Sequence, residues 1–167
     1  VPLEVVACGL RRGPDLEFEY RLEGALGALS WPESVGPLRR DQLWQHTCFE
    51  AFLAAPGRPA YCEFNFSPGG AWAAYRFADY RGDRMPLELA QPPRIRVERG
   101  VAVARLVASV AAPAVLESLG SPRELELGLS AVIESAEGGV RSYWALRHAP
   151  GPPDFHDRRG FTAALAS

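Results

Sequence analysis

The stretch Leu16-Glu17-Phe18-Glu19-Tyr20-Arg21-Leu22 alternates apolar and charged side chains without a break. A period of two places Leu16, Phe18, Tyr20 and Leu22 on one side of an extended chain and Glu17, Glu19 and Arg21 on the other, which describes a strand with one dry and one wet face. The same period recurs over residues 125–133, where Leu125, Leu127, Leu129, Ala131 and Ile133 share a side. It recurs over residues 101–107, where Val101, Val103 and Val107 share a side with Arg105.

Turn clusters separate these runs: Arg12-Gly13-Pro14-Asp15, Ser67-Pro68-Gly69-Gly70, Glu137-Gly138-Gly139 and Gly151-Pro152-Pro153. Short alternating strands with frequent Gly and Pro turns predict an all-β antiparallel sandwich or barrel. One segment, residues 113–119, reads as a short helix, with Pro113 near its start and Gly120 after its end, and is expected to be a connector on the sandwich edge. Residues 86–94 hold three prolines and are expected to form a loop or a sheet edge.

The totals agree with this reading. The chain of 167 residues has the size of one domain, read as residues 1–167, and can bury a core without a metal or disulfide staple. Its 18 basic and 20 acidic side chains give a net charge of −2 with no long run of like charge, which argues against nucleic acid or an anionic membrane as a partner. Every basic residue is arginine, a bias that records a GC-rich genome more than a function. No apolar stretch is long enough to span a bilayer and the N-terminus lacks a signal-peptide pattern, so a cytoplasmic protein is expected. The cysteines, Cys8, Cys48 and Cys62, are odd in number and lack metal-ligand spacing, and read as buried or half-buried free thiols. The sequence sets no oligomeric state.

Three segments mix aromatic and polar residues where a structural strand would alternate cleanly. In LWQHTCFEAFL, residues 43–53, Phe49, Ala51 and Leu53 face the core if Cys48, Glu50 and Phe52 take the other sheet face, so Glu50 is a carboxylate displayed among aromatics. In AYCEFNFSPGGAWAAYRF, residues 60–77, a strand, a Ser-Pro-Gly-Gly turn and a returning strand make a hairpin. Cys62, Phe64 and Phe66 form its apolar stripe, while Tyr61, Glu63 and Asn65 share the opposite face. If this strand pairs with the preceding one, Glu63 and Asn65 lie close to Glu50. The same parity puts Cys48 and Cys62 on opposite faces, where no disulfide can join them.

In RSYWALRHAPGPPDFHDRRGF, residues 141–161, Trp144 and Leu146 share a face with Ser142 and His148. Trp144 therefore reads as core, and Tyr143 and Arg147, on the other face, join the candidate ligand contacts. Each feature also has a plain structural account: the two glutamates as solvated or arginine-paired groups, Trp44 as a plug at the end of the sandwich, Trp72 as packing under the hairpin. His46, His148 and His156 are scattered, not spaced as a metal triad. Sugars are recognised by flat aromatic faces combined with planar polar groups that pair with hydroxyls. Trp44, Tyr61, Glu50, Glu63 and Asn65 are that mixture.

At these residues, namely LWQHTCFEAFL, YCEFNFSPGGAWAAY, SYWALRH and DFH, the chain resembles the bacterial DOMON-like domains, which are similar in fold to family 9 carbohydrate-binding modules. The resemblance spans essentially the whole chain. It implies a β-sandwich of about ten strands with a ligand site on one sheet and its bordering loops, used for sugar or haem and not for catalysis. Trp44 and Glu50 resemble the tryptophan and glutamate of the sugar-binding modules, and Glu63 and Asn65 resemble their next pair of polar contacts. The departures are Glu63, where those modules tend to carry a basic residue, and the second stacking aromatic, for which Phe155 and His156 are the candidates.

Haem-binding relatives use a methionine and a histidine as axial ligands. The single methionine, Met85 in Gly82-Asp83-Arg84-Met85-Pro86, falls in no such motif. The expectation is thus a non-catalytic domain for a small polyhydroxylated ligand, without a cofactor. A haem-binding redox domain and a glycoside hydrolase using Glu50 and Glu63 are the alternatives.

Overall fold

The computed structural model describes residues 2–166. A four-stranded antiparallel sheet takes β1 (Leu3–Arg12), β2 (Asp15–Gly24), β8 (Val103–Ala111) and β7 (Arg94–Arg99) in that spatial order. A seven-stranded antiparallel sheet runs β10 (Arg141–Ala145), β9 (Glu124–Glu134), β3 (Cys48–Ala54), β4 (Tyr61–Phe66), β5 (Trp72–Phe77) and β6 (Met85–Pro86). Its remaining strand, β11 (Ala163–Ala166), pairs with residues 124–127 of β9, while β10 pairs with residues 130–134. No helix among the described residues is long and apolar enough to cross a membrane.

The alternating runs fold as their period dictates. Leu16, Phe18, Tyr20 and Leu22 of β2 point into the space between the sheets, and the odd-numbered stripe of β9 meets them from the other side. Phe49, Ala51 and Leu53 of β3 and Cys62, Phe64 and Phe66 of β4 complete that core. Phe18 stacks across the gap on Phe64 and Phe66, with ring centroids 6.4 and 5.9 Å apart. Tyr20 spans the core and donates its hydroxyl proton to the Glu50 carbonyl oxygen at 2.7 Å. The predicted helix is α1 (Ala112–Ser118), which tucks Ala112 and Val115 into the sandwich edge and hands over to Gly120 at φ +79°. Residues 86–94 are sheet edge and loop, as the prolines require.

Two expectations change. In β8 the core stripe is Ala104, Leu106, Ala108 and Val110, and the valines at 103 and 107 belong to the outer face, while Val101 lies before the strand and is almost wholly exposed. Small inward residues at 104 and 108 hid the true stripe from a hydrophobicity count. Cys8 is exposed on the outward side of the edge strand β1, not buried or half-buried.

At β3 and β4 the seven-stranded sheet is covered on both faces. Every residue of β3 and β4 is buried, so the strands facing the core also carry a second packed layer outside the sandwich. That layer holds Cys48, Phe52, Tyr61, Phe77 and Phe161, with the chain around residues 153–161 laid across it. Tyr61 stacks on Phe77 with centroids 4.7 Å apart, and Phe161 lies against Gly128, where a Cβ would stand 2.8 Å from its ring. Register puts Glu50 opposite Asn65 on one side and Ser130 on the other, and Glu63 opposite Phe52 and Tyr75.

Cys48 and Cys62 belong to different layers and all three cysteines are free. A thiol reagent should therefore titrate one group, Cys8, in the native protein and three in denaturant; a denatured count of one would contradict this arrangement. Phe64→Ala, at a fully buried position, should lower stability by about 3–5 kcal/mol in urea unfolding.

Candidate functional site

The outer face of the seven-stranded sheet carries a cavity of about 500 Å³, within the usual range for small-ligand sites. Glu50, Glu63, Tyr75 and Val132 of the sheet contribute to its lining, together with Trp44, Tyr143, Phe155 and His156. Arg81 and Arg84, from the loop between β5 and β6, line it as well.

Trp44 sits in a single 3-10 turn, Leu43–Gln45, entered through Gln42 in the left-handed region at φ 62°. Leu43 anchors the turn in the outer packed layer, which leaves Trp44 turned outward and 44% exposed. The next residues hold the turn in place. Thr47, fully buried, donates to the Ser30 carbonyl at 2.6 Å and accepts the Glu134 N–H at 3.1 Å, and His46 Nδ1 lies 3.0 Å from the Glu134 carboxylate.

Asp154 joins the loops on the opposite rim. Its carboxylate accepts the Tyr80 hydroxyl at 2.5 Å, the Arg81 guanidinium at 2.8 Å and the His156 N–H at 3.1 Å. Burial disfavours that charge, but the Tyr80 and Arg81 donors outweigh it and hold the Asp154 carboxyl below its ordinary range. The β5–β6 loop turns tightly, with Arg81 and Asp83 both at positive φ, so the Asp154 contacts fix a segment whose backbone is already constrained.

A relay runs under the cavity. The Tyr61 hydroxyl accepts the Arg81 N–H at 3.1 Å and lies 2.7 Å from His156 Nδ1. In the tautomer where the Tyr61 hydroxyl donates to Nδ1, the imidazole proton is on Nε2, 3.7 Å from the Glu63 carboxylate. Burial, with Arg81 nearby, pushes the His156 pKa down to about 4, so the ring is neutral at physiological pH. His156 also packs edge-on against Phe52, Tyr61 and Phe77.

The two glutamates differ in their surroundings. Asn65 Nδ2 donates to Glu63 Oε1 at 2.7 Å, and the Cys48 thiol lies 3.8 Å from Asn65 Oδ1 and 3.7 Å from the Phe49 carbonyl oxygen. The Glu50 carboxyl has no hydrogen-bond partner among the described residues, although Glu50 is only 4% exposed. Burial raises both pKa values. For Glu50 the neighbouring Glu63 adds to the rise, and for Glu63 the Asn65 amide and the Arg84 and Arg81 charges oppose it.

Of the sequence candidates, Trp44, Glu50, Glu63, Tyr143, Phe155 and His156 come together on the cavity wall. Tyr61 and Asn65 are buried beneath it and act on its lining through His156 and Glu63. Arg147 stands outside the cavity, beside a small hollow shared with Asp154 and Phe155. The face carrying Glu50, Glu63 and Asn65 is not the wet one expected, because the chain around 153–161 covers it. Trp144 packs half-buried against the main core, with its indole N–H donated to Ser142 at 3.0 Å. Met85 is 60% exposed on the edge strand β6, facing a separate surface hollow. No group of His, Cys, Asp and Glu among the described residues is arranged to hold a metal ion.

Tyr75, Phe77, Arg81 and Arg84 were not among the sequence candidates. The first two follow from carrying the Glu63 parity across the hairpin turn, since Tyr75 pairs with Glu63. The arginines lie in a loop without periodicity, and nothing in the sequence marks them. Burial and a hydrogen bond donated to the Asp41 carboxylate make the Tyr75 hydroxyl hard to ionise.

No family model matches the sequence, and no curated protein is significantly similar to it in sequence. Similarity appears at the level of structure. A Bacteroides uniformis protein to which carbohydrate binding has been ascribed superposes with a TM-score of 0.68 at 16% identity, over 99% of this chain and 79% of that one. A family 9 carbohydrate-binding module from Caldicellulosiruptor kristjanssonii, solved with glucose, superposes with a TM-score of 0.56 at 11% identity, over 99% of this chain and 77% of that one. The two-sheet architecture of this chain is thus a β-sandwich of the family 9 carbohydrate-binding-module type.

Proposed function

We propose that the chain is a non-catalytic binding domain for a small saccharide or related polyol, held in the cavity on the outer face of the seven-stranded sheet. The observation that carries this reading is Glu50, a residue more than nine-tenths buried whose carboxyl has no hydrogen-bond partner among the described residues and which lines a cavity rich in aromatic side chains. Buried polar groups are normally satisfied, so one left open in a concave site points to a polar ligand. Trp44 supplies an exposed flat face for a sugar ring, with Tyr143 and Phe155 close to one another, 6.2 Å between centroids, on the same wall. Glu63 accepts from ring hydroxyls while Asn65 holds its carboxylate in place, and His156 offers Nε2–H beside it. The fold relative that binds glucose supports this ligand class.

Arg81 and Arg84 bring to the cavity the positive charge that the resemblance expects at position 63, from a loop instead of the strand. Asp154 is a positioning residue in this scheme, since it touches Tyr80, Arg81 and His156 but does not line the cavity.

Isothermal calorimetry with a monosaccharide panel that includes D-glucose, D-galactose and D-mannose tests the proposal. A hydrogen bond to a charged group contributes about 1.5–3 kcal/mol, so Glu63→Ala should weaken binding by roughly tenfold or more. Trp44→Ala should weaken binding similarly while moving the melting temperature little, because the indole is exposed at the rim. Absence of binding across the panel, together with unfolding of Trp44→Ala, would establish that tryptophan as a plug and refute the proposal.

A further inference from the structure

Resting on the saccharide reading above, we infer that Glu50 enters the site as a neutral carboxylic acid that donates its proton to the ligand, while Glu63 accepts as a carboxylate. The site would then select an uncharged saccharide over its amino counterpart.

The argument begins with strand register. Glu50 on β3 and Glu63 on β4 are diagonal neighbours on one sheet face, since Glu50 lies opposite Asn65 and Phe52 opposite Glu63. Diagonal side chains in an antiparallel pair lie roughly 7–8 Å apart at Cα and closer at their ends. Both residues are more than nine-tenths buried. Two buried carboxylates this close disfavour each other's ionisation, and on this inference the pair keeps one proton at neutral pH.

The surrounding groups decide which oxygen holds it. On β4, Asn65 donates to Glu63 at 2.7 Å and Tyr61 acts only through His156. From the covering segment, neutral His156 points Nε2 toward Glu63, and Asp154 is bound to Arg81. From the β5–β6 loop, Arg84 favours the charge on Glu63, and Arg81 acts on both glutamates. On β5, Tyr75 gives its proton to Asp41.

No donor among the described residues is bonded to the Glu50 carboxyl. Cys48, on the same face of β3, has its thiol near the Phe49 carbonyl and Asn65 Oδ1, and Ser130, directly across on β9, has a buried hydroxyl that makes no hydrogen bond. Val132 and Tyr143 on that flank bring no charge, and Tyr20 reaches Glu50 only at its backbone oxygen, from the core side. The charge therefore settles on Glu63 and the proton on Glu50, whose carboxyl burial and Glu63 together push well up.

A carboxylic acid beside a carboxylate is a donor next to an acceptor. That pair matches neighbouring oxygens of an uncharged sugar, one accepting and one donating. An ammonium group has no acceptor to offer the Glu50 proton, so while Glu50 is protonated it should bind less well than the hydroxyl it replaces. Affinity for an uncharged sugar should then fall as pH rises through the raised Glu50 titration.

The first arm of the test uses no ligand. In protein labelled with carbon-13 at the glutamate carboxyls, one resonance should titrate well above the rest and disappear in Glu50→Gln. Titration of every glutamate in the ordinary carboxylate range would overturn the inference, whether or not any sugar binds.

The second arm is calorimetry across pH 5–9 with D-glucose, D-galactose and D-mannose and their 2-amino counterparts. Glu50→Gln removes the titrating group, so the pH dependence of uncharged-sugar affinity should vanish, whereas Glu63→Gln should keep that dependence and lose at least tenfold in affinity. Tighter binding of the amino sugars as the preferred ligands at neutral pH would overturn the donor role. Loss of all sugar binding with the raised titration intact would instead remove the saccharide reading and leave the proton on Glu50 standing.

Discussion

The seven-stranded sheet is packed on both faces at β3 and β4, and the properties of the site follow from that constraint. An antiparallel sheet ordinarily keeps one face wet, and β3 and β4 would do so here if the chain ended after β10. The chain instead continues through Phe155, His156 and Phe161 and lies across the outer face, with Phe161 admitted by the missing side chain at Gly128. Polar residues that alternation places on that face, Glu50, Glu63 and Asn65, are thereby removed from solvent. Burial turns ordinary surface carboxylates into groups whose hydrogen bonds and charge must be supplied locally, and at Glu50 the described residues supply the Arg81 charge but no hydrogen bond to the carboxyl.

The same covering segment links shape to chemistry. His156 sits edge-on in the aromatic layer and at the same time bridges Tyr61 to Glu63, so the packing of Phe52, Tyr61 and Phe77 sets where an N–H points in the cavity. Asp154, two residues earlier, ties that segment to Tyr80 and Arg81, so the two rim loops are positioned by one carboxylate. Loops carry the variable contacts of a binding site only when a rigid scaffold fixes them. Here the fixing elements are the outer aromatic layer and a single anchored aspartate.

Much of the fold was legible because strand periodicity is a local signal. Residues 16–22 and 125–133 alternate cleanly, and the hairpin between Tyr61 and Phe77 is announced by Ser67-Pro68-Gly69-Gly70, so the sheet faces of Glu50, Glu63 and Asn65 could be assigned from parity alone. Residues 101–107 misled because the inward positions 104 and 108 are alanines, which register as weakly apolar beside the valines that face outward. The part of the site contributed by Arg81, Arg84 and Asp154 was not legible. These residues reach one another by loop geometry across 73 positions of sequence, and no period encodes that. Burial of the glutamates was hidden for the same reason, since it depends on where a distant segment comes to rest.

Fold relatives at 11–16% identity share the path of the backbone and few side chains, so the site has to be argued from the residues present here. The physical cost of those residues is informative. A carboxyl whose pKa is raised in the folded state binds more protons there than in the unfolded chain, so its contribution to stability declines as pH rises from the ordinary carboxylate range toward the raised value. At neutral pH Glu50 therefore makes the fold less stable than an uncharged isostere of the same shape would. Natural sequences keep such local conflicts mainly where function requires them. The conflict at Glu50 stands in the lining of a cavity that it shares with the exposed Trp44 and with Arg81 and Arg84, and not at a point where packing alone would explain it.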